Sequence, residues 1–274
     1  MSEYYLNKVK KCVTFIFENR NPLIALGTGF FVGIQTEFGD AVYLITAKHV
    51  LENKSGNLID SILYRLNTKN GSSSYIQLDL QDHVLLTHPD NDVDLIAILQ
   101  YPPPEEYDYL IISENYFTND KILSEKNIKE GSKVFYPGLF TGIYSDFYQE
   151  QRNYPILRFG AISFLSTEKI SFIERKVRKS AYLYMIESLS IGGFSGSPVF
   201  FETPQINRTK ILYAPEIYLG GIIKGHYNDI AETPNGIIRQ LNMGLAMVTP
   251  CYILKEILDS DKAKQHMKEI SNRE

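Results

Sequence analysis

Apolar residues come in short runs along this chain, separated by clusters of Asn, Gly, Asp and Ser. Within the first hundred residues the runs read "CVTFIF", "GTGFFVGI", "AVYLITA", "SILYRL", "YIQLDL" and "DLIAIL". Each is rich in β-branched or aromatic residues and bounded by turn formers, which predicts strands. The stretch "QYPPPEEYD" then interrupts the pattern, because three consecutive prolines cannot join a central ladder. A second series follows: "SKVFYPG", "PILRFGAISFL", "KISFIER", "AYLYMIE", "SPVFF", "YLGGIIKG" and "MGLAMVTP". After residue 250 the period changes: Ile253, Leu254, Ile257 and Leu258 have helical spacing. Regularly spaced strands without intervening helical patterns predict antiparallel barrels or sandwiches. The expectation is an all-β chain in three parts: a strand-rich unit over residues 1–105, a second over 106–250, and a C-terminal helix and tail over 251–274. The basic cluster "ERKVRKS" reads as a solvated turn or edge.

Composition agrees with this picture and narrows it. The chain has 274 residues, 44% of them hydrophobic, enough to bury a substantial core. Its aromatics, 19 Tyr and 15 Phe with no Trp, lean toward strands. Lys and Arg number 28 against 32 Asp and Glu, a net charge of −4 that asks for neither nucleic acid nor an anionic membrane. The start lacks the basic-then-apolar order of a secretory signal, and the longest apolar region, "PLIALGTGFFVGI", is too short to span a bilayer. Cys12 and Cys251 stand alone and imply no disulfide framework. The expected setting is a reducing cytoplasm. No cluster of His, Cys, Asp or Glu has metal-ligand spacing, so neither metal nor cofactor is expected.

Chemistry concentrates at three strand–loop junctions. The first is "SIGGFSGSPVF", residues 190–200, where glycines surround Ser195 ahead of an apolar strand. Glycine adds backbone entropy that folding must overcome, so its clustering marks a sharp turn or presented N–H groups. A serine hydroxyl is a weak nucleophile unless a base and oxyanion donors stand beside it. The G-x-S-x-G elbow of α/β-hydrolases does not fit, since residue 197 is Ser and no strand–helix alternation surrounds the site. Among five histidines, His266 lies in the charged tail, and His83 and His88 flank a polar turn. His49 directly follows the apolar run of "YLITAKHVLEN", at what reads as the opening of a short helix. A carboxylate to fix its tautomer comes from "PDNDVDLIAILQ": Asp94 abuts the apolar run most closely, with Asp92 the runner-up.

The blocks "LITAKHV", "DVDLIAIL" and "GFSGSPVF", in that order, resemble the three active-site blocks of trypsin-like (chymotrypsin-fold) serine peptidases. "GTGFFVG" and "YLGGIIKGH" resemble that family's surrounding strands, so the likeness spans roughly residues 13 to 259. It is nearest in character to disulfide-free bacterial members. The resemblance implies two six-stranded antiparallel β-barrels with catalytic His49, Asp94 and Ser195 in the cleft between them. It also implies an oxyanion hole formed by the N–H groups of Gly193 and Ser195, and pocket walls from Leu189, Ile223, Lys224, Gly225 and His226. The implied activity is endopeptidase hydrolysis of a polypeptide substrate through an acyl-enzyme. Phe194 stands where digestive members carry Asp, which argues against activation by a freshly cut N-terminus, and no pro-segment is recognisable. Val50 replaces a frequent disulfide cysteine, and Lys48 fills a usually small position. A rival reading keeps the fold without constitutive chemistry: a latent or silent module that binds a peptide or a regulatory protein partner. Its candidate docking elements are the insertion "ETPQINRTKILYAPEI" and the C-terminal helix.

Overall fold

The apolar runs of the first half build a sheet whose central strands are buried on both faces. A computed structural model describes residues 3–140, 152–174, 177–204, 215–232 and 238–272. Strands β1 (Val13–Glu18), β2 (Ile24–Thr36) and β3 (Gly39–Thr46) pair in antiparallel succession. On them Phe15, Phe17, Phe30, Val32, Tyr43 and Ile45 face one way, and Ile16, Phe31 and Leu44 the other; all are buried. That is the period-2 geometry of a strand with apolar neighbours on either side. β4 (Ser61–Asn67) and β5 (Ser73–Asp79) continue the sheet beyond β1, while β6 (Leu85–Thr87) and β7 (Ile96–Leu99) continue it beyond β3. A short β8 (Ile111–Ser113) lies parallel to β2. The first half is therefore an eight-stranded sheet ordered β5-β4-β1-β2-β3-β7-β6, with β8 beside β2.

The second half closes on itself. β9 (Lys133–Gly138), β10 (Ile156–Phe164), β13 (Tyr184–Glu187), β14 (Pro198–Glu202), β15 (Ile217–Glu232) and β16 (Ile238–Pro250) form a six-stranded barrel in the order β10-β13-β16-β15-β14-β9. Tyr136, Ile186, Phe194, Val199, Phe201, Ile223 and Val248 fill it. The run "AYLYMIE" divides at Leu183. Its first part joins β12 (Val177–Tyr182), which among the described residues pairs with β11 (Lys169–Glu174) alone, as a two-stranded sheet outside the barrel. Of the basic cluster, Glu174 ends β11 and residues 177–180 lie on β12, while residues 175–176 lie outside the described residues.

One apolar face of the first sheet joins the halves. Phe15, Phe30 and Ile45 pack in one continuous core with Phe135, Phe200 and Ile222 of the barrel. The C-terminal segment forms two helices, Cys251–Leu258 and Asp261–Ser271, where one was expected. Ser260 breaks the run in extended conformation, and its side chain accepts from Ala263 N–H as the cap of the second helix. Ile253, Leu254, Ile257 and Leu258 lie on the joining core. Residues 205–214 of the long insertion lie outside the described residues.

Candidate active site

Pairing of β3 with β7 sets Thr46 opposite Ile96, so the segments flanking that pair end side by side. After β3 the chain turns through a 3-10 helix, Lys48–Leu51, anchored by buried Val50 and Leu51. Before β7 it passes through an Asp-rich turn ending at Asp94. His49 N–H donates to Asp94 Oδ1 at 2.9 Å, and His49 Nδ1 lies 2.6 Å from Asp94 Oδ2. This carboxylate therefore fixes both the backbone and the ring of His49. The two neighbouring carboxylates point elsewhere: Asp92 accepts from Ser180 N–H at 2.9 Å, and Asp90 pairs with Lys169 at 2.7 Å, both on the β11–β12 hairpin.

Asp94 has a third partner from the other half of the molecule. Lys224 Nζ lies 3.2 Å from Asp94 Oδ2, with its side chain 2% exposed and that of Asp94 7%. The same ammonium sits 5.2 Å from the centre of the Phe172 ring on β11. Burial opposes ionisation of Asp94, but the charge and hydrogen bonds of His49, together with the Lys224 ammonium, outweigh it. They hold the carboxyl well below the usual carboxylate range.

Ser195 lies in the second half, between two tight turns. Phe194 N–H bonds to Ile191 O at 3.4 Å with Gly193 at φ 97°, a type II turn that requires glycine at its third position. A second turn, Ser197 N–H to Phe194 O at 2.9 Å, holds Gly196 at φ 85°. The side chain of Phe194 is wholly buried edge-on against Tyr136 and anchors the loop in the barrel core. Thr28 of β2 grips the loop from the first half: its hydroxyl donates to Gly193 O at 2.8 Å and accepts from Leu139 N–H, and its N–H donates to Ser195 O at 2.9 Å. Among the described residues, neither Gly193 N–H nor Ser195 N–H donates to another backbone group. The Ser195 hydroxyl meets the Lys224 carbonyl at 3.5 Å, and no hydrogen bond joins it to His49 among the described residues.

The residues expected on the pocket wall divide. Leu189 is 51% exposed, and its carbonyl accepts from Arg158 Nη2. Gly225 and His226 are half-buried on β15, and burial pushes the His226 ring down from its ordinary value. Ile223 and Lys224 turn inward instead. Ile223 packs in the barrel core, while its carbonyl and N–H bond to Gly196 and Ser197 of the serine loop. The pairing of β15 with β16 shifts by one residue between Ile223 and Gly225, so Lys224 is the extra residue of a bulge. A bulge re-aims a side chain, and here it sends the lysine to Asp94. Sequence reading missed this role and that of Thr28. The available signals were a lysine inside an apolar run and a threonine flanked by glycines. Among the described residues no group of three or more His, Cys, Asp or Glu could hold a metal ion, and no helix is long and apolar enough to cross a membrane.

No protein-family model matches the chain, and no curated protein matches it. Solved structures do. The protease domain of MamO from Magnetospirillum magneticum, in its apo form, superposes with a TM-score of 0.52 at 14% identity, covering 93% of this chain and all of that one. The Rv3671c protease of M. tuberculosis, in an inactive form, gives 0.46 at 14% identity over 94% of each chain. The fold is that of the trypsin-like (chymotrypsin-fold) serine proteases.

Proposed function

We propose that this chain is a serine endopeptidase that hydrolyses peptide bonds through an acyl-enzyme on Ser195. The observation that carries the reading is the His49–Asp94 pair, whose ring nitrogen and carboxylate stand at 2.6 Å in a protease fold that also presents a glycine-flanked serine. In the proposed cycle, Ser195 Oγ attacks the substrate carbonyl while His49 Nε2 takes its proton, and His49 then returns that proton to the leaving amine. Asp94 keeps the Nδ1 proton of His49 in place and accepts from the ring as the imidazolium forms. The Gly193 and Ser195 N–H groups, free of backbone acceptors among the described residues, supply the oxyanion donors. Water then hydrolyses the acyl-enzyme by the same route in reverse. Two buried free thiols, Cys12 and Cys251, fit a reducing compartment such as a bacterial cytoplasm; burial pushes both upward from their ordinary values. An activated ester tests the reading: a burst of one product equivalent per chain, followed by slower turnover, is expected. Ester cleavage that persists in Ser195→Ala would contradict it.

One observation favours a second reading, a latent protease switched by a regulatory protein partner. The Ser195 hydroxyl rests on the Lys224 carbonyl without a hydrogen bond to His49 among the described residues. Catalytic hydrogen bonds often tighten only on binding, and in the latent form that tightening awaits the partner. A burst that appears only after adding lysate from the native host would single out the latent form.

A further inference from the structure

Asp94 Oδ2 serves two nitrogens at once, His49 Nδ1 at 2.6 Å and Lys224 Nζ at 3.2 Å, while Oδ1 is taken by His49 N–H. We propose that Lys224 is a positioning residue for this pair: it aligns the Asp94 carboxylate from the opposite half of the molecule and sets the lower pH limit at which His49 acts as a base.

Three ionisable groups share a confined site. Asp94 and the Lys224 ammonium are both buried, and together they are neutral. Protonating His49 on Nε2 then leaves the cluster with one net positive charge out of water. Without the lysine, the same proton would complete a neutral ion pair. Because the two nitrogens share one oxygen, they lie no farther apart than their two distances to it combined, and repulsion over that span is strong. Lys224 therefore offsets the pull of the Asp94 charge on a proton at His49.

The surroundings leave this role to Lys224. On the loop before β7, Asp90 is engaged by Lys169, His88 donates from that turn toward Glu256 at 3.1 Å, and Asp92 spends an oxygen on Ser180 N–H. From β11, the apolar Phe172 ring covers the ammonium. On the turn that carries His49, Lys48 is half-buried and forms no described ion pair with Asp94. The bulge in β15 is what delivers the lysine: regular pairing would alternate it away from its neighbour's direction, whereas the extra residue permits Ile223 and Lys224 both to be buried.

The test follows the His49 ring resonance against pH in the full chain, assigned by comparison with His49→Gln. Lys224→Met is expected to move its titration upward by on the order of one to two pH units. Lys224→Gln, which keeps a donor but no charge, should move it as far, and Lys224→Arg should stay near wild type. The acid limb of Ser195 reactivity toward a fluorophosphonate should shift in parallel. Titration at the wild-type pH in a folded Met or Gln variant would overturn the proposal. Its consequence for turnover rests on the protease reading, but the ring titration is read without turnover. A Lys224-dependent titration beside an unreactive Ser195 would overturn the protease reading and leave this inference standing.

Discussion

Asp94 in the first half and Ser195 in the second are held in contrasting ways. Among the described residues, three donors meet the two oxygens of Asp94, at 2.9, 2.6 and 3.2 Å, whereas the Ser195 hydroxyl reaches a single carbonyl at 3.5 Å. Around Ser195 it is the backbone that is fixed, by two turns and by Thr28. Around Asp94 it is the side chain. A group that orients a base should not move, while a nucleophile must swing toward a substrate carbonyl, so the division suits the proposed chemistry. Each half also clamps the other: Thr28 of the open sheet binds the serine loop, and Lys224 of the closed barrel binds the acid. Neither site element is complete within its own sheet.

Breaking the tighter side gives the largest expected effect. Asp94→Asn should lower turnover on the order of 10⁴-fold, by analogy with other triads, while Asp92→Asn leaves it near wild type. Steady-state kinetics on a peptide substrate would check this, and a crippled Asp92→Asn would reverse the assignment. Gly196→Ala addresses the serine side. At φ 85°, a Cβ there would collide with Thr28 O and Thr46 Oγ1, so unfolding by denaturant should show a loss on the order of 3 kcal/mol. Thr28→Val is gentler. It keeps the shape but leaves the buried Gly193 carbonyl and Leu139 N–H without their partner, at a cost of about 1–3 kcal/mol together with slower Ser195 labelling.

The smallest effect near neutral pH concerns acid stability. Asp94 is held below its unfolded value, so its stabilising contribution is fully present above the ordinary carboxylate value, about pH 4, and is lost as pH falls below it. Melting temperatures measured from pH 6 to pH 2 should therefore fall less steeply in Asp94→Asn than in the wild type. Equal slopes would remove the electrostatic part of the argument.

Much of this arrangement was readable in the chain, and the exceptions have physical causes. Long strands announced themselves because β-branched and aromatic runs alternate between two buried faces, as in β2 and β3. β6 and β8 span three residues each, too few to display a period. The break at Leu183 is invisible within an apolar run, because the hairpin and the barrel both bury their residues there. His49, Asp94 and Ser195 stood out as polar groups abutting apolar strands, and the glycines around Ser195 as the mark of a sharp turn, which the structure makes with Gly193 and Gly196 at positive φ. Lys224 was misplaced because a bulge inverts the face on which a residue lies, and bulges leave little trace in composition. The eight-stranded first sheet likewise exceeds the six strands expected, since its added members are the short ones.

In the proposed mechanism the His49–Asp94 pair of one half activates the serine of the other. Labelling with a fluorophosphonate, followed by peptide mapping, tests it most directly. One label per chain is expected, on Ser195, and lost in both Ser195→Ala and His49→Ala while the variants remain folded. Labelling that survives His49→Ala at the wild-type rate, or that maps to another residue, would contradict it.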